Sequence, residues 1–291
     1  MTEPKRAIIT IAGLGTRFLP LSKLVPKELW PLADKPLLYY IVKEVIDSGI
    51  KEIVFVVRKE NKEVVDYFKP DKKLEKLLVQ RKENILLEEM KNLEELVKDV
   101  SISYVLQKSP LGDGHAVLQA ITDEPTVVAF SDDIVESKSP VILQLKNVFK
   151  TSQKPVIALY PIKDEAKLSC YGVVKVEKIA NKYYKIKEII EKPKPSEAPS
   201  NLAIMGKYIL TPDFFSVLKN TKANHKKEII LANALDNYLK LGKVVYGFEV
   251  EGKWLECGNK LDWLKSNLYT CLKHPFYSSE IKEFLKKEKL I

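Results

Sequence analysis

The chain has 291 residues, 45% hydrophobic and 30% charged, which is enough apolar material for a large core in one large domain or two small ones. No apolar run approaches the ~20 residues that span a bilayer, and MTEPKRAIITIAG enters a strand-like stretch without a small-residue cleavage site, so a membrane span and a secretory signal are set aside. The net charge of +9 comes from lysines interleaved with glutamates, which reads as a solvated surface with some pull on a polyanionic small molecule rather than as a nucleic-acid interface.

Cys170, Cys257 and Cys271 are odd in number and lack metal or disulfide spacing, so a reduced, cytoplasmic setting is expected. RAIITIA (6–12) reads as a buried strand running into the glycine loop Gly13-Leu14-Gly15-Thr16-Arg17. Glycines let the backbone approach a ligand and turn successive N–H groups into one concavity suited to phosphate oxygens. The spelling is not a dinucleotide fingerprint, which needs a small residue where Phe18 stands, nor a Walker loop, which needs Gly-Lys-Ser/Thr. On the glycines alone, a tight turn and a phosphate site stay equally open. Arg17 behind the loop and Lys27 on the proline-punctuated segment after it favour phosphate, because they can grip it from two sides.

PLLYYIVKEVIDSG (36–49) predicts a helix begun by Pro36 and ended by Gly49. EIVFVV (52–57), ISYVL (102–106) and TVVAF (126–130) predict strands, and 72–99, free of Gly and Pro, one or two inserted amphipathic helices. Strands alternating with helices argue for a mostly parallel sheet covered on both faces. LGDGHAV (111–117) either places backbone near a base or sugar or simply starts a helix, with His115 packing or capping there. Ser131-Asp132-Asp133 follows TVVAF directly. A carboxylate at the carboxyl end of a parallel strand lies at the ligand-binding edge and suits Mg²⁺ with nucleotide phosphates; the alternative is a plain turn.

YGVVKVEKIANKYYKIKEIIEK (171–192) predicts two strands joined near Ala180-Asn181. Behind them, Glu191-Lys192-Pro193 is either a sugar- and phosphate-contacting group or a surface charge pair. The Pro-rich 192–200 segment reads as a loop within the domain. TPDFFSVL begins a helix, with Thr211 as N-cap and Pro212 at its first position. Trp254-Leu255-Glu256-Cys257-Gly258 adds a second acid after a short apolar run, and the chain from about 259 is helical.

Together, AGLGTRFLPLSKLVPKELWPLADKPLLYYIVKEV, LGDGHAVLQA, the SDD acids, YGVV, IIEKPKPSEAPSNLAIMGKYILTP and ECGNKLDWL resemble the sugar-nucleotide pyrophosphorylases, in that family's order and over about residues 5–275. Within that family, EAPSNLA and the 72–99 insertion are similar to the bacterial-type UTP–glucose-1-phosphate uridylyltransferase branch rather than to thymidylyltransferases. The resemblance implies a three-layer, Rossmann-like α/β nucleotidyltransferase fold with a mixed, mainly parallel central sheet. It implies one domain over 1–291: a nucleotide-binding half at about 5–135, a sugar-phosphate-binding half at 136–258 and C-terminal helices at 259–291.

The activity implied is transfer of uridylyl from UTP to α-D-glucose 1-phosphate with release of pyrophosphate, dependent on Mg²⁺. The enzyme would be a homodimer or homotetramer with no nucleic-acid or membrane partner. Ala12, Gly13, Leu14, Gly15, Thr16 and Arg17 would cradle the UTP phosphates together with Lys27, and Gln107 and Gly112 would read the uracil. Gly172, Glu191, Lys192 and Gly206 would hold the sugar phosphate, while Asp132 and Glu256 would bind the metal. Arg17, Lys27, Asp132 and Lys192 would carry catalysis.

Three positions depart from the family pattern. Glu256 replaces the usual Asp, Ser131 the usual Pro or Gly, and Lys-Lys-Glu-Ile-Ile-Leu-Ala-Asn (226–233) replaces Gly-Gly-Glu-Ile-Gln-Leu-Thr-Asp. They keep open a thymidylyltransferase or broad-specificity enzyme and, in another class, a catalytically weak nucleotide-binding regulatory homologue.

Overall fold

Residues 2–290 are described by a computed structural model. Chain order in the first half is β1 (Arg6–Thr10), the short hairpin β2 (Pro31–Leu32) and β3 (Lys35–Pro36), α1 (Leu37–Asp47), β4 (Glu52–Val57), α2 (Lys72–Arg81), α3 (Asn84–Val97), β5 (Ser101–Leu106), α4 (Asp113–Leu118), β6 (Thr126–Phe130), β7 (Asp133–Glu136) and α5 (Val141–Ser152). The second half holds β8 (Val156–Pro161), β9 (Gly172–Ala180), β10 (Tyr183–Glu191), β11 (Leu202–Leu210), α6 (Pro212–Lys219), α7 (Leu231–Lys240), β12 (Tyr246–Glu249), β13 (Lys253–Glu256), α8 (Lys260–Lys273) and α9 (Ser278–Lys287).

A nine-stranded sheet in the order β5-β4-β1-β6-β11-β8-β12-β10-β9 runs through both halves. The pairs from β5 to β6 are parallel, as is β8–β12, whereas β11 is antiparallel to β6 and β8, and β10 to β12 and β9. The sheet is therefore mixed, with its parallel run concentrated on the glycine-loop side.

Alternation along the strands makes three layers, because successive side chains leave a strand on opposite faces. Ile9, Phe55 and Ala129 enter one core with Leu38 and Val42 of α1 and Leu145 and Phe149 of α5. Their neighbours Ile8, Val54 and Val128 enter the other, with Phe214 of α6 and Leu231, Leu235 and Tyr238 of α7. Each such side chain contributes roughly 1.5–3 kcal/mol on burial, so a strand apolar at every position is stable only between two helical layers. Helix α1 buries Leu37, Leu38, Ile41, Val42 and Val45, a stripe at helical spacing that lays one face on the sheet.

The 72–99 stretch forms two helices. Asp71 Oδ1 caps α2 by accepting the Lys73 and Leu74 N–H groups, and Lys82 in the left-handed conformation (φ 59°) breaks the run. Pro36 stands just before α1 instead of as its first residue, and Thr211 occupies the cap position of α6 without bonding its backbone. The Thr211 hydroxyl donates instead to Asp213 Oδ1 at 2.5 Å. Strand β11 is buried along its whole length, and its Lys207 is neutralised by Glu44 of α1 at 2.8 Å. The three cysteines are free thiols. No helix among the described residues is long and apolar enough to cross a membrane.

The loops after the carboxyl ends of β1, β4 and β6 emerge at one edge of the sheet, where open α/β sheets bind ligands. A two-stranded ladder of β7 with β13 adds to this edge and sets Asp133 opposite Glu256.

Candidate active site

The glycine loop leaves β1 pinned at its root. Asn61 Nδ2 donates to Ile11 O at 2.7 Å, and the Ile11 N–H donates to Val56 O at 2.9 Å. Gly15 has φ +63°, a conformation that a side chain resists, and its carbonyl accepts the Ser22 hydroxyl at 2.7 Å. Gly13 is exposed and has nothing within 4 Å of a would-be Cβ, so no packing demand explains a glycine there. Phe18 turns inward and meets the edge of Trp30 at 4.7 Å, and Trp30 meets Trp263 of α8 at 4.8 Å. That aromatic stack moors the segment carrying Arg17 and Lys27 to the C-terminal helix.

Lys27 Nζ lies 2.6 Å from Asp132 Oδ2, with both side chains largely buried. Burial disfavours the Lys27 ammonium, but the carboxylates of Asp132 and Glu28 outweigh it and raise its pKa. Burial likewise opposes ionisation of Asp132, yet Lys27 and then Arg17 hold its carboxyl below the usual range.

The adjacent acid behaves in the opposite sense. Burial and the charge of Asp132 push Asp133 up to about 7, and its Oδ2 accepts the Gly206 N–H at 3.0 Å. Asp132 therefore faces the cations and Asp133 ties β7 to β11. A Cβ on Gly206 would stand 2.3 Å from that Oδ2, so its glycine also has a packing cause.

Glu256 reaches the same region from β13. Its Oε2 accepts the Tyr171 hydroxyl at 2.6 Å, Lys167 stands 3.9 Å away, and burial raises its carboxyl against the pull of that hydrogen bond. A Cβ added to Gly258 would lie 3.4 Å from Arg17 Nη1, 3.5 Å from Asp132 Oδ2 and 3.8 Å from Glu256 Oε1, so the three groups converge on one point. Among the described residues no three His, Cys, Asp or Glu side chains cluster with metal-binding geometry. Two converging carboxylates suit a hard cation that takes its remaining oxygens from water and phosphate, which is the habit of Mg²⁺.

Arg17, Asp132, Gly172, Glu191, Lys192, Gly206 and Glu256 all line one cleft of about 400 Å³. Lys192 follows β10 in the left-handed region (φ 50°), its N–H donates to Tyr171 O at 3.0 Å, and its ammonium pairs with Glu191 Oε1 at 2.8 Å while staying mostly exposed. A non-glycine residue held there costs about 1–2 kcal/mol and marks a position where side-chain direction matters.

Leu14 and Gln107 line a separate depression of about 490 Å³ with Arg58 and Lys108. Gln107 Nε2 donates to Gly112 O at 3.1 Å and meets His115 Nδ1 at 2.9 Å, while its carbonyl oxygen has no partner among the described residues. Burial lowers the His115 pKa, in keeping with a neutral ring held in this network. Gly112 lines neither cavity. It has φ +101°, and a Cβ there would collide with Ile229 O at 2.5 Å. The departing 226–233 stretch thus docks by backbone on the 111–114 loop, with Ile229 N donating to Leu111 O at 2.7 Å and Gly114 N to Ile229 O at 2.9 Å.

Sequence reasoning overlooked Tyr171, Lys167 and Asp262, which brace Glu256, and Asp113, which lines the cleft. YGVV carried the one available hint, since it placed a phenol beside the candidate Gly172. A further cavity of about 990 Å³, lined by Tyr39, Tyr67, Met90 and His274, contains none of the candidate residues.

The family model described as "Nucleotidyl transferase" matches residues 6–271. A relative called UTP--glucose-1-phosphate uridylyltransferase 2 in Staphylococcus saprophyticus is 41% identical over 293 residues, covering 100% of both chains. The UTP--glucose-1-phosphate uridylyltransferase of Staphylococcus haemolyticus is 39% identical over 289 residues, 98% of this chain and 99% of its own. Among solved structures, a UDP-glucose pyrophosphorylase complexed with UDP-glucose superposes with a TM-score of 0.83 at 33% identity, over 93% of this chain and 100% of the other. A UTP-bound UGPase from Acinetobacter baumannii gives 0.87 at 31% identity, over 97% and 98% of the two chains.

Proposed function

The chain belongs to the nucleotidyl transferase family, and on that premise we propose that it transfers uridylyl from UTP to α-D-glucose 1-phosphate, forming UDP-glucose and pyrophosphate. The observation that carries this reading is the single cleft lined by Arg17, Asp132, Glu191 and Lys192, with Lys27 paired to its Asp132 at 2.6 Å. A triphosphate and a sugar phosphate need two separate cationic grips with a metal-compatible acid between them. The relatives named for this reaction support the same assignment. The halves at about 5–135 and 136–258 each supply one grip within one domain, which ends in helices α8 and α9.

A phosphate oxygen of glucose 1-phosphate attacks the α-phosphorus of UTP in line, that P–O bond forms, the bond to the β-phosphate oxygen breaks, and pyrophosphate leaves. No protein nucleophile is required, so the residues position the substrates and offset charge. Lys192 receives the attacking phosphate and reduces its repulsion from the triphosphate, while Glu191 takes a sugar hydroxyl. The N–H groups of 12–16, with Arg17 and Lys27, hold the triphosphate and the departing pyrophosphate. Asp132 and Glu256 would hold Mg²⁺, which supplies further charge neutralisation to the phosphate oxygens when bound. Gln107 presents its carbonyl to the uracil N–H, beside the Gly112 backbone.

Pyrophosphate release measured with glucose 1-phosphate and each of the four nucleoside triphosphates tests the assignment. UTP is expected to give the highest kcat/KM, and dTTP in its place would shift the assignment to a thymidylyltransferase. No release with any of them would leave a nucleotide-binding homologue.

A further inference from the structure

Asp113, between the glycines of LGDGHAV, has no part in the transfer described above. It is the first residue of α4 and lines the cleft that holds Glu191 and Lys192. Its Oδ1 accepts two backbone donors, Gly114 N at 2.6 Å and Leu231 N at 2.9 Å. Two bonds on one oxygen fix the plane of the carboxylate. Oδ2 has no hydrogen-bond partner among the described residues, and it is not one of their buried unpartnered atoms, so it is open to the cleft. Glu191 is arranged the same way: Oε1 is taken by Lys192, and Oε2 has no hydrogen-bond partner among the described residues and is 3.1 Å from where a Gly172 Cβ would stand. Ala232, next to the Leu231 that anchors Asp113, contributes only a methyl group, 3.8 Å from that same point. The floor beside the two carboxylates is thus left open, in part by a residue where this chain departs from the family pattern.

We propose that Asp113 is a second sugar-reading carboxylate, whose Oδ2 accepts a hydrogen bond from a ring hydroxyl of the hexose 1-phosphate alongside the hydroxyl taken by Glu191. The inference rests on the sugar-phosphate reading of this cleft. An ionised carboxylate is an acceptor only, so it favours a neutral polyol ring that brings it a donor. A sugar lacking that hydroxyl leaves the oxygen desolvated and unpaired, and sites built this way reject such analogues strongly. Burial pushes the Asp113 carboxyl up to about 6, with Glu191 adding to the effect, so the group is kept ionised near neutrality at a cost to the fold.

The test compares kcat/KM for glucose 1-phosphate and its series of monodeoxy analogues, using the full-length protein and its Asp113→Ala and Asp113→Asn variants. In the wild type, one analogue is expected to lose about 10- to 100-fold relative to the parent sugar. In Asp113→Ala the same analogue and the parent become nearly equal, while KM for UTP is unchanged. Asp113→Asn retains an oxygen for the two backbone donors but turns the donor Nδ2 toward the hydroxyl, so if the alanine variant does not fold it is expected to change the penalty of that one analogue and of no other. The proposal is overturned if every analogue carries the same penalty in the variants as in the wild type. A wild type that does not turn over glucose 1-phosphate would overturn the reaction assignment instead.

Discussion

Lys27 Nζ and Asp132 Oδ2, 105 residues apart in the chain, sit 2.6 Å apart, and Asp132 lines the cleft. The pair holds the acid in the turn after β6 against the segment that follows the glycine loop, and it places one positive and one negative group where a metal–triphosphate complex would need both. Lys27→Met keeps the length of the side chain and removes the charge. It is expected to lower kcat by about 10²–10³-fold, the scale of losing one preorganised charge-stabilising contact. It will also destabilise the fold by about 1–3 kcal/mol, because Asp132 loses its partner while still buried beside Asp133. Stopped-flow product formation and urea unfolding separate the two effects, and a near-normal kcat would remove Lys27 from the mechanism.

Tyr171 acts on the opposite side of the metal candidate by fixing Glu256 through a 2.6 Å hydrogen bond. Groups that orient a ligand typically govern metal affinity by about 10–100-fold. Tyr171→Phe is therefore expected to raise the Mg²⁺ concentration for half-maximal rate about tenfold, with kcat at saturating Mg²⁺ close to wild type. Titration of Mn²⁺ binding by paramagnetic relaxation gives an activity-independent reading. An unaltered metal dependence in both experiments would exclude Glu256 as a ligand.

Two glycines of the candidate site separate packing from binding. Gly206→Ala would place a Cβ 2.3 Å from Asp133 Oδ2 and 2.7 Å from Phe130 side-chain atoms, all held inside the sheet, and is expected to cost about 3 kcal/mol. Gly13→Ala meets nothing within 4 Å and is expected to leave stability within about 0.5 kcal/mol while raising KM for UTP. Urea midpoints at constant slope measure the first effect, and steady-state kinetics the second. A stable Gly206→Ala protein would show that β11 can move away from Asp133.

The order of elements was legible because its signals are local: unbroken apolar runs for two-faced strands, a helical stripe in 37–45 bounded by Pro36 and Gly49, and turn chemistry near Ala180-Asn181. The failure of the glycine loop to spell a dinucleotide fingerprint at Phe18 also has a local cause, since that ring is committed to Trp30. The division of labour between Asp132 and Asp133 was not legible. It depends on which face of the strand end meets Lys27 and which meets the Gly206 backbone, and both partners arrive from distant segments. Tyr171 and Asp113 stayed hidden for the same reason, being partnered across 85 and 118 positions. The departures at 226–233 looked like a change of chemistry. In the fold Ile229, which keeps the family's residue, clasps the 111–114 loop by its backbone, and of the residues that differ only Ala232 lines the cleft.

Asp113 also gives the fold a defined pH dependence. Its carboxyl is raised from 3.8 to about 6 by burial, with Glu191 adding to the rise and the Leu231 N–H and Lys192 opposing it. Because the folded-state pKa lies above the unfolded one, the folded protein holds a proton between about pH 4 and 6 that the unfolded chain has released. Stability from this group therefore falls as pH rises through that window and stays reduced above it. Asp113→Asn removes the ionisation and keeps an oxygen for Gly114 N and Leu231 N. It is expected to be more stable than the wild type by about 1–2 kcal/mol at pH 7.5, discounting the full shift because Oδ2 meets solvent. The advantage will shrink to nothing below about pH 4, where both proteins are neutral at this position. Thermal unfolding of the two proteins across pH 4–8 measures the gap, and a gap of constant size over that range would show that Asp113 does not titrate with the fold.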